Sequence, residues 1–358
     1  MEKQTAIKYL KRLGIAAALM LLVPALLVVL FDPFYHYHGP VFGMKAVLEE
    51  RDYEVCGTLD HFEYDAVLLG DSLVENTNTA WLSDLFGVRT VKAIRAGGSN
   101  ADVLWYLDRA YEGHELKKVF YCIDKAALCA DTTVTFPEKD YYYLMDRNPL
   151  NDWKYLWNKD VLLKKIPLQL AYNTVLSYDE GEAYAWYRTK NFSAQAMTAF
   201  YTPAESFAEA QALPEELDKN IALLKERILA HPETEFILFY PPTSYLWWDR
   251  ELREGTLSSD YEMFCRIVEA FDGLDNVKLY GFFAAEEYTQ LDHYMDVVHF
   301  SLQVNYELFA DMAADRYAMD QQMVDTEWEK WQQRVERFSS EEIAEYYPDA
   351  VLYQGGDR

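Results

Sequence analysis

Four consecutive apolar residues, Ala66-Val67-Leu68-Leu69, end abruptly in Gly70-Asp71-Ser72. So short an apolar run, closed by turn residues, predicts a strand buried on both faces, the condition of a central strand in a parallel sheet. Parallel strands need long crossovers, so helices must alternate with strands around it. The chain keeps that rhythm. Further strands are predicted over 90–94 and 118–123, with apolar helical faces between them: Trp81, Leu82, Leu85 and Phe86, then Val103, Leu104, Leu107 and Ala110. After an interruption the pattern resumes with a helix over 215–230, a strand over 235–240, a helix over 261–271 and a strand over 277–280. Ser301 is placed to cap a helix reaching Met319, and 326–347 reads as a last, acidic and aromatic helix. The expected fold is α/β: a three-layer sandwich around a five-stranded parallel sheet of flavodoxin-like type.

The interruption, 130–213, holds no clear strand and is rich in Tyr, Trp and Asn. An insertion of that length predicts a mostly helical cap rather than a structureless loop, with substrate selection or simple packing as its two readings. The N-terminus differs again. Lys3, Lys8, Lys11 and Arg12 precede an apolar run over 15–31. The run is apolar on all sides and long enough for a short span, and it ends in Phe31-Asp32-Pro33 with no small-residue cleavage motif. The expectation is an uncleaved signal anchor, basic end in the cytoplasm and body outside, with a cleaved signal core as the alternative. The predicted organisation is therefore 1–31 tail and anchor, 32–59 juxtamembrane linker, 60–320 main domain carrying the 130–213 insertion, and 321–358 helical tail.

The formal net charge of -26 disfavours nucleic acid as a partner, because phosphate contacts need a positive field. Four cysteines, Cys56, Cys122, Cys129 and Cys265, permit disulfides in an exported chain without fixing a pairing, and none has zinc-finger spacing. His36 and His38 supply two metal ligands at most, so no metal and no cofactor is expected. Asn191-Phe192-Ser193 is a glycosylation sequon, meaningful only in a eukaryotic secretory route.

Chemistry in parallel sheets gathers past the carboxyl ends of the strands, where Ser72 is predicted to emerge. Asp71-Ser72 has two readings, a cap for the next helix or a nucleophile on a tight turn. A serine needs a base, and the base needs an orienting acid. Asp296-Val297-Val298-His299, after the last strand, supplies both; Asp292-His293 is the nearby decoy. Gly97-Gly98 after the second strand, together with the Ser72 amide, offers a bare backbone for an oxyanion.

G-D-S-L at 70–73, glycine after the second strand and D-x-x-H at 296–299 together resemble the SGNH/GDSL esterase-lipase superfamily, over about 60–130 and 215–320. The resemblance implies Ser72 as nucleophile, His299 as base, Asp296 as its orienter and Gly97 or Gly98 as an oxyanion donor. The family's G-x-N-D block is absent: Cys122-Ile123-Asp124-Lys125 stands there, which puts Asp124 where an oxyanion Asn is expected; either Asn100 or another donor substitutes, or Asp124 has a different role, or activity is weak. An ionised Asp cannot donate a hydrogen bond. With the anchor, the chain resembles the membrane-attached branch that includes the D-alanyl transfer protein of teichoic acid assembly and alginate O-acetylation proteins. That implies a serine esterase or O-acyltransferase working outside the membrane on acyl groups of a cell-surface glycan or polymer, with a multi-pass membrane acyltransferase as a possible partner. The competing reading is a non-catalytic carbohydrate-binding or assembly subunit, suggested by Asp124 and by the aromatic insertion.

Overall fold

The computed structural model describes residues 2–355. It is a mixed α/β structure whose five strands, β1 (Ala66–Gly70), β2 (Thr90–Ile94), β3 (Lys118–Cys122), β4 (Glu235–Tyr240) and β5 (Val277–Gly281), form one all-parallel sheet in the order β2-β1-β3-β4-β5. The residues of β1 are fully buried on both faces. Side chains such as Val67, Leu68 and Leu69 each contribute about 1.5–3 kcal/mol by leaving water. The strand order reverses direction between β1 and β3, and such a switch point leaves a crevice at the carboxyl ends of those two strands. Ser72 follows β1 and Asp124 follows β3, so both stand at that crevice.

The chain forms two compact units. The sheet belongs to one, 64–135 with 184–358. The other joins 1–63 to 136–183, so part of the 130–213 insertion separates from the sheet unit together with the N-terminal segment. In that second unit, short helices Trp153–Leu156 and Ile166–Tyr172 flank a π turn, Val161–Lys165. Its core packs Val28 and Phe34 with Tyr143, Tyr155, Val161 and Ile166. Helix Glu2–Phe31 contains a stretch, Gln4–Phe31, that is long and apolar enough to cross a membrane, and almost none of it is buried.

Two segments depart from expectation. The helix capped by Ser301 stops at Ala313, not Met319. Asp315 and Tyr317 take positive φ, and the chain turns back so that Ala318 bridges Tyr280 on the open edge of β5. Covering an edge strand removes a free row of backbone donors and acceptors. The stretch that leaves β4 is a helix, Tyr245–Glu254, capped by Ser244 and closed by Gly255 at φ 73°, with Trp248 fully buried. The final helix begins earlier than expected, at Gln321, and ends at Arg337 in a π turn over Phe338–Glu342. All four cysteines are free.

Candidate active site

Gly70 ends β1 against β3. A Cβ there would lie 2.8 Å from the Cys122 Cβ and 2.9 Å from a Val74 methyl, so only glycine lets the chain turn this close to its neighbour. Asp71 then accepts from the Leu73 amide at 2.9 Å, which tightens the turn that carries Ser72. The helix cap is elsewhere: Thr79–Phe86 is capped by Asn78, whose side chain accepts from the Ala80 amide. Asp71 and Ser72 are therefore free of the capping role.

The loop after β5 returns to this point. Tyr294 and Phe300 pair as an antiparallel bridge, and Ser244 donates its hydroxyl to the Val297 carbonyl at 2.8 Å, fixing 294–300 as a closed turn. Within it Asp296 Oδ1 accepts from the amides of Val298 (3.0 Å) and His299 (2.8 Å), and Oδ2 lies 2.7 Å from His299 Nδ1. His299 Nε2 lies 2.8 Å from Ser72 Oγ. Burial raises the Asp296 pKa, but the hydrogen bond and charge of His299 and the two amides outweigh it and hold the carboxyl below its usual value. Against an ionised Asp296, Nδ1 carries the proton, so Nε2 is left to accept the serine hydroxyl. Ser72, 224 or more residues before Asp296 and His299, thus joins them in one hydrogen-bonded line. The decoy is not part of it: Asp292 accepts from the Ala194 amide, and the His293 carbonyl accepts from Ser301.

The expected oxyanion groups divide. The register pairs Gly70 with Ile94, and the Arg95 amide donates to the Gly70 carbonyl, so Gly97 follows β2 beside the serine turn. Its φ of 59° suits glycine. Gly98 donates its own amide to the Arg95 carbonyl at 3.0 Å. Among the described residues, the amides of Ser72 and Gly97 have no hydrogen-bond partner. Asn100 is fully buried; its carbonyl accepts from the Tyr121 hydroxyl and its amide donates to Asn220, so it faces no ligand. Asp124 caps the helix Lys125–Leu128, accepting from the amides of Ala126 and Ala127. The residue expected to oppose an oxyanion has both oxygens committed to backbone. It acts on the site through its charge: burial first, and then Asp124, push Asp71 up to about 7.

Other residues at the site carried no signal in the sequence. Trp186 stands edge-on to the His299 ring, centroids 5.2 Å apart. It is pinned there by Asn76, whose side-chain oxygen accepts from the amides of Trp186 (2.9 Å) and Tyr187 (3.1 Å), and by Glu75, which accepts from the indole N–H. The buried Lys92 donates to the carbonyls of Glu75 and Thr77 at 2.7 and 2.9 Å and so holds the loop after Ser72. A hydrophilic string, Glu75-Asn76-Thr77-Asn78, reads as plain loop; its burial is a tertiary fact. His36 and His38 lie in the other unit, His36 on Asp152 and His38 on the carbonyls of Gly39 and Val29.

No family model and no curated protein matches the chain. A solved structure from Streptococcus pneumonia, provisionally described as a platelet activating factor, is similar at 14% identity over 74% of this chain and 90% of that one, with a TM-score of 0.41. A likeness at that level carries no argument about this chain's chemistry.

Proposed function

We propose that the protein is a serine esterase or O-acyltransferase of the SGNH type, anchored by its N-terminal helix and acting outside the membrane on ester-linked acyl groups of a cell-surface glycan or polymer. The observation that supports this is the line Ser72 Oγ, His299 Nε2, His299 Nδ1, Asp296 Oδ2, with both contacts at hydrogen-bond length. His299 takes the hydroxyl proton as Ser72 Oγ attacks the ester carbonyl, and Asp296 stabilises the imidazolium that results. The unpartnered amides of Ser72 and Gly97 are the donors assigned to the oxyanion. Collapse of the tetrahedral intermediate expels the alcohol, which takes the proton from His299 and leaves an acyl-serine. A second hydroxyl, from water or from a sugar, then gives its proton to His299, attacks the acyl carbon and frees Ser72. Water makes the protein an esterase, and a sugar hydroxyl makes it a transferase.

Hydrolysis of an aryl acetate by the full chain tests the reading. Ser72→Ala is expected to lower kcat by on the order of a million-fold, the scale for loss of a triad serine. Wild-type turnover no faster than the variant's overturns it; glycan binding that survives Ser72→Ala with no turnover in either protein establishes the carbohydrate-binding alternative instead.

A further inference from the structure

The unit formed by 1–63 and 136–183 exposes apolar side chains well beyond its apolar helix. Leu150 is 86%, Leu163 76% and Val175 80% exposed, and Trp153, Trp157 and Leu176 are also exposed to a lesser degree. Isolated apolar residues on a surface need no explanation, but a concentration of this kind marks a contact face. This one is continuous with the apolar helix. Residues of Trp153–Leu156 and the following π turn pack on Glu2–Phe31, and the Trp157 indole donates to the Leu21 carbonyl at 2.8 Å. The place is chemically apt. Pro24 lacks the N–H that an α-helix would give to the Met20 carbonyl, so the indole reaches the helix backbone one residue from the break.

The charge pattern agrees. From Leu150 to Leu176 there are four lysines, Lys154, Lys159, Lys164 and Lys165, against two acids, Asp152 and Asp160, in a chain whose overall charge is -26; Lys164 pairs with Asp160 and Lys165 with Glu50. Tryptophan beside lysine on an otherwise apolar surface is the composition of a membrane interface, where indoles sit at headgroup level and lysines extend to anionic headgroups.

We propose that residues 150–176 enter one leaflet of the bilayer alongside the C-terminal half of the N-terminal helix, so that the protein is seated in the membrane by two elements. The proposal deepens the membrane part of the reading above and is independent of the chemistry at Ser72. The occupant of the face is lipid with anionic headgroups, because the face continues that of the apolar helix and carries lysines.

The full chain, with Cys129 and Cys265 replaced by serine, is placed in nanodiscs of phosphatidylcholine and phosphatidylglycerol. Single nitroxide labels are carried by Leu163→Cys, Val175→Cys, Leu19→Cys as the span control and Glu209→Cys as the aqueous control. Leu150→Cys is a further reporter should either of the first two fail to assemble. Accessibility to oxygen relative to a soluble nickel chelate is measured at each site. The expected result is a ratio at 163 and 175 several-fold above that at 209 and approaching that at 19. A lipid-like ratio at 19 with an aqueous one at 163 and 175 overturns the proposal and leaves a simple tether. Labels at 163 and 175 shielded from both reagents overturn it in favour of a protein partner on this face. An aqueous ratio at 19 as well removes the membrane reading altogether, while the Ser72 assay stands or falls on its own.

Discussion

Each unit of this protein is built around a carboxylate that gathers several donors, and the two behave oppositely. Asp296 accepts two backbone amides and the His299 ring, and its pKa is lowered. Asp32 accepts the amides of His36, Tyr37 and His38 and the Tyr155 hydroxyl, yet its pKa is raised, because complete burial outweighs those bonds and the charge of His38. Asp296 has a ring that can take and return a proton within hydrogen-bond reach, and one edge of its site is open to solvent. Asp32 touches only groups whose protons stay where they are. If Asp296 works as proposed, the number of hydrogen bonds does not separate a working carboxylate from a structural one; the kind of partner does.

The largest effect that would sharpen this contrast is on rate. Asp296→Asn leaves the turn nearly isosteric but favours the wrong histidine tautomer. It is expected to lower kcat for an aryl acetate by on the order of ten-thousand-fold with little change in KM. A loss below ten-fold would mean that Asp296 is as structural as Asp32. The converse experiment is Asp32→Ala, which orphans three amides and a phenol in a buried site and should cost about 3 kcal/mol or more of stability, read as a lowered chemical-denaturation midpoint. The folded fraction should keep its kcat; a fall in kcat per folded molecule would break the distinction.

Asp71 tests the same idea within the site. Its carboxyl is raised by burial and by Asp124 to about 7, so ionisation there opposes folding. Below the ordinary carboxylate value the group is protonated in folded and unfolded chains alike, and there is no penalty. The penalty grows as pH rises toward 7 and is complete above it. Asp71→Asn, which keeps an acceptor for the Leu73 amide, should therefore raise the Tm more at pH 8 than at pH 5. An equal shift at both would show that Asp71 is not held against its charge.

The sheet was legible because its signals are local. Four apolar residues stopped by Gly70, and apolar helical faces between them, place all five strands to within a residue at each end. The spacing of Asp296 and His299 could also be read, because an Asp three residues before a His in one tight turn brings carboxylate and ring together. Asn100 and Asp124 have partners of different kinds: Asn100 meets Asn220 across 120 residues, which no local pattern reports, whereas Asp124 caps the helix that begins at the next residue, a local role that suits Asp. Trp186 and Asn76 meet across 110 residues, and nothing in either neighbourhood marks it. The unit around Asp32 was the least legible. Its organising contact joins Asp32 to Tyr155 across 123 residues of irregular, aromatic chain with no periodicity to report it.

The smallest expected effect belongs to His38, beside Asp32. Its Nδ1 lies 2.7 Å from the Gly39 carbonyl and its Nε2 2.7 Å from the Val29 carbonyl. Two acceptors can both be satisfied only by the imidazolium, which donates from both nitrogens. Burial disfavours the charge, but the two carbonyls and Asp32 outweigh it and raise the pKa above the ordinary value for histidine. A raised histidine contributes stability that is fully present below the unfolded pKa, near 6.5, and is lost as pH rises through the folded value. In nanodiscs, the wild-type Tm should therefore decline from pH 6 to pH 8, and His38→Gln, which cannot charge, should lessen that decline and leave the Asp71 share of it. If the decline persists unchanged in His38→Gln, the ring is neutral in the folded chain and one of the two carbonyl contacts is not a hydrogen bond.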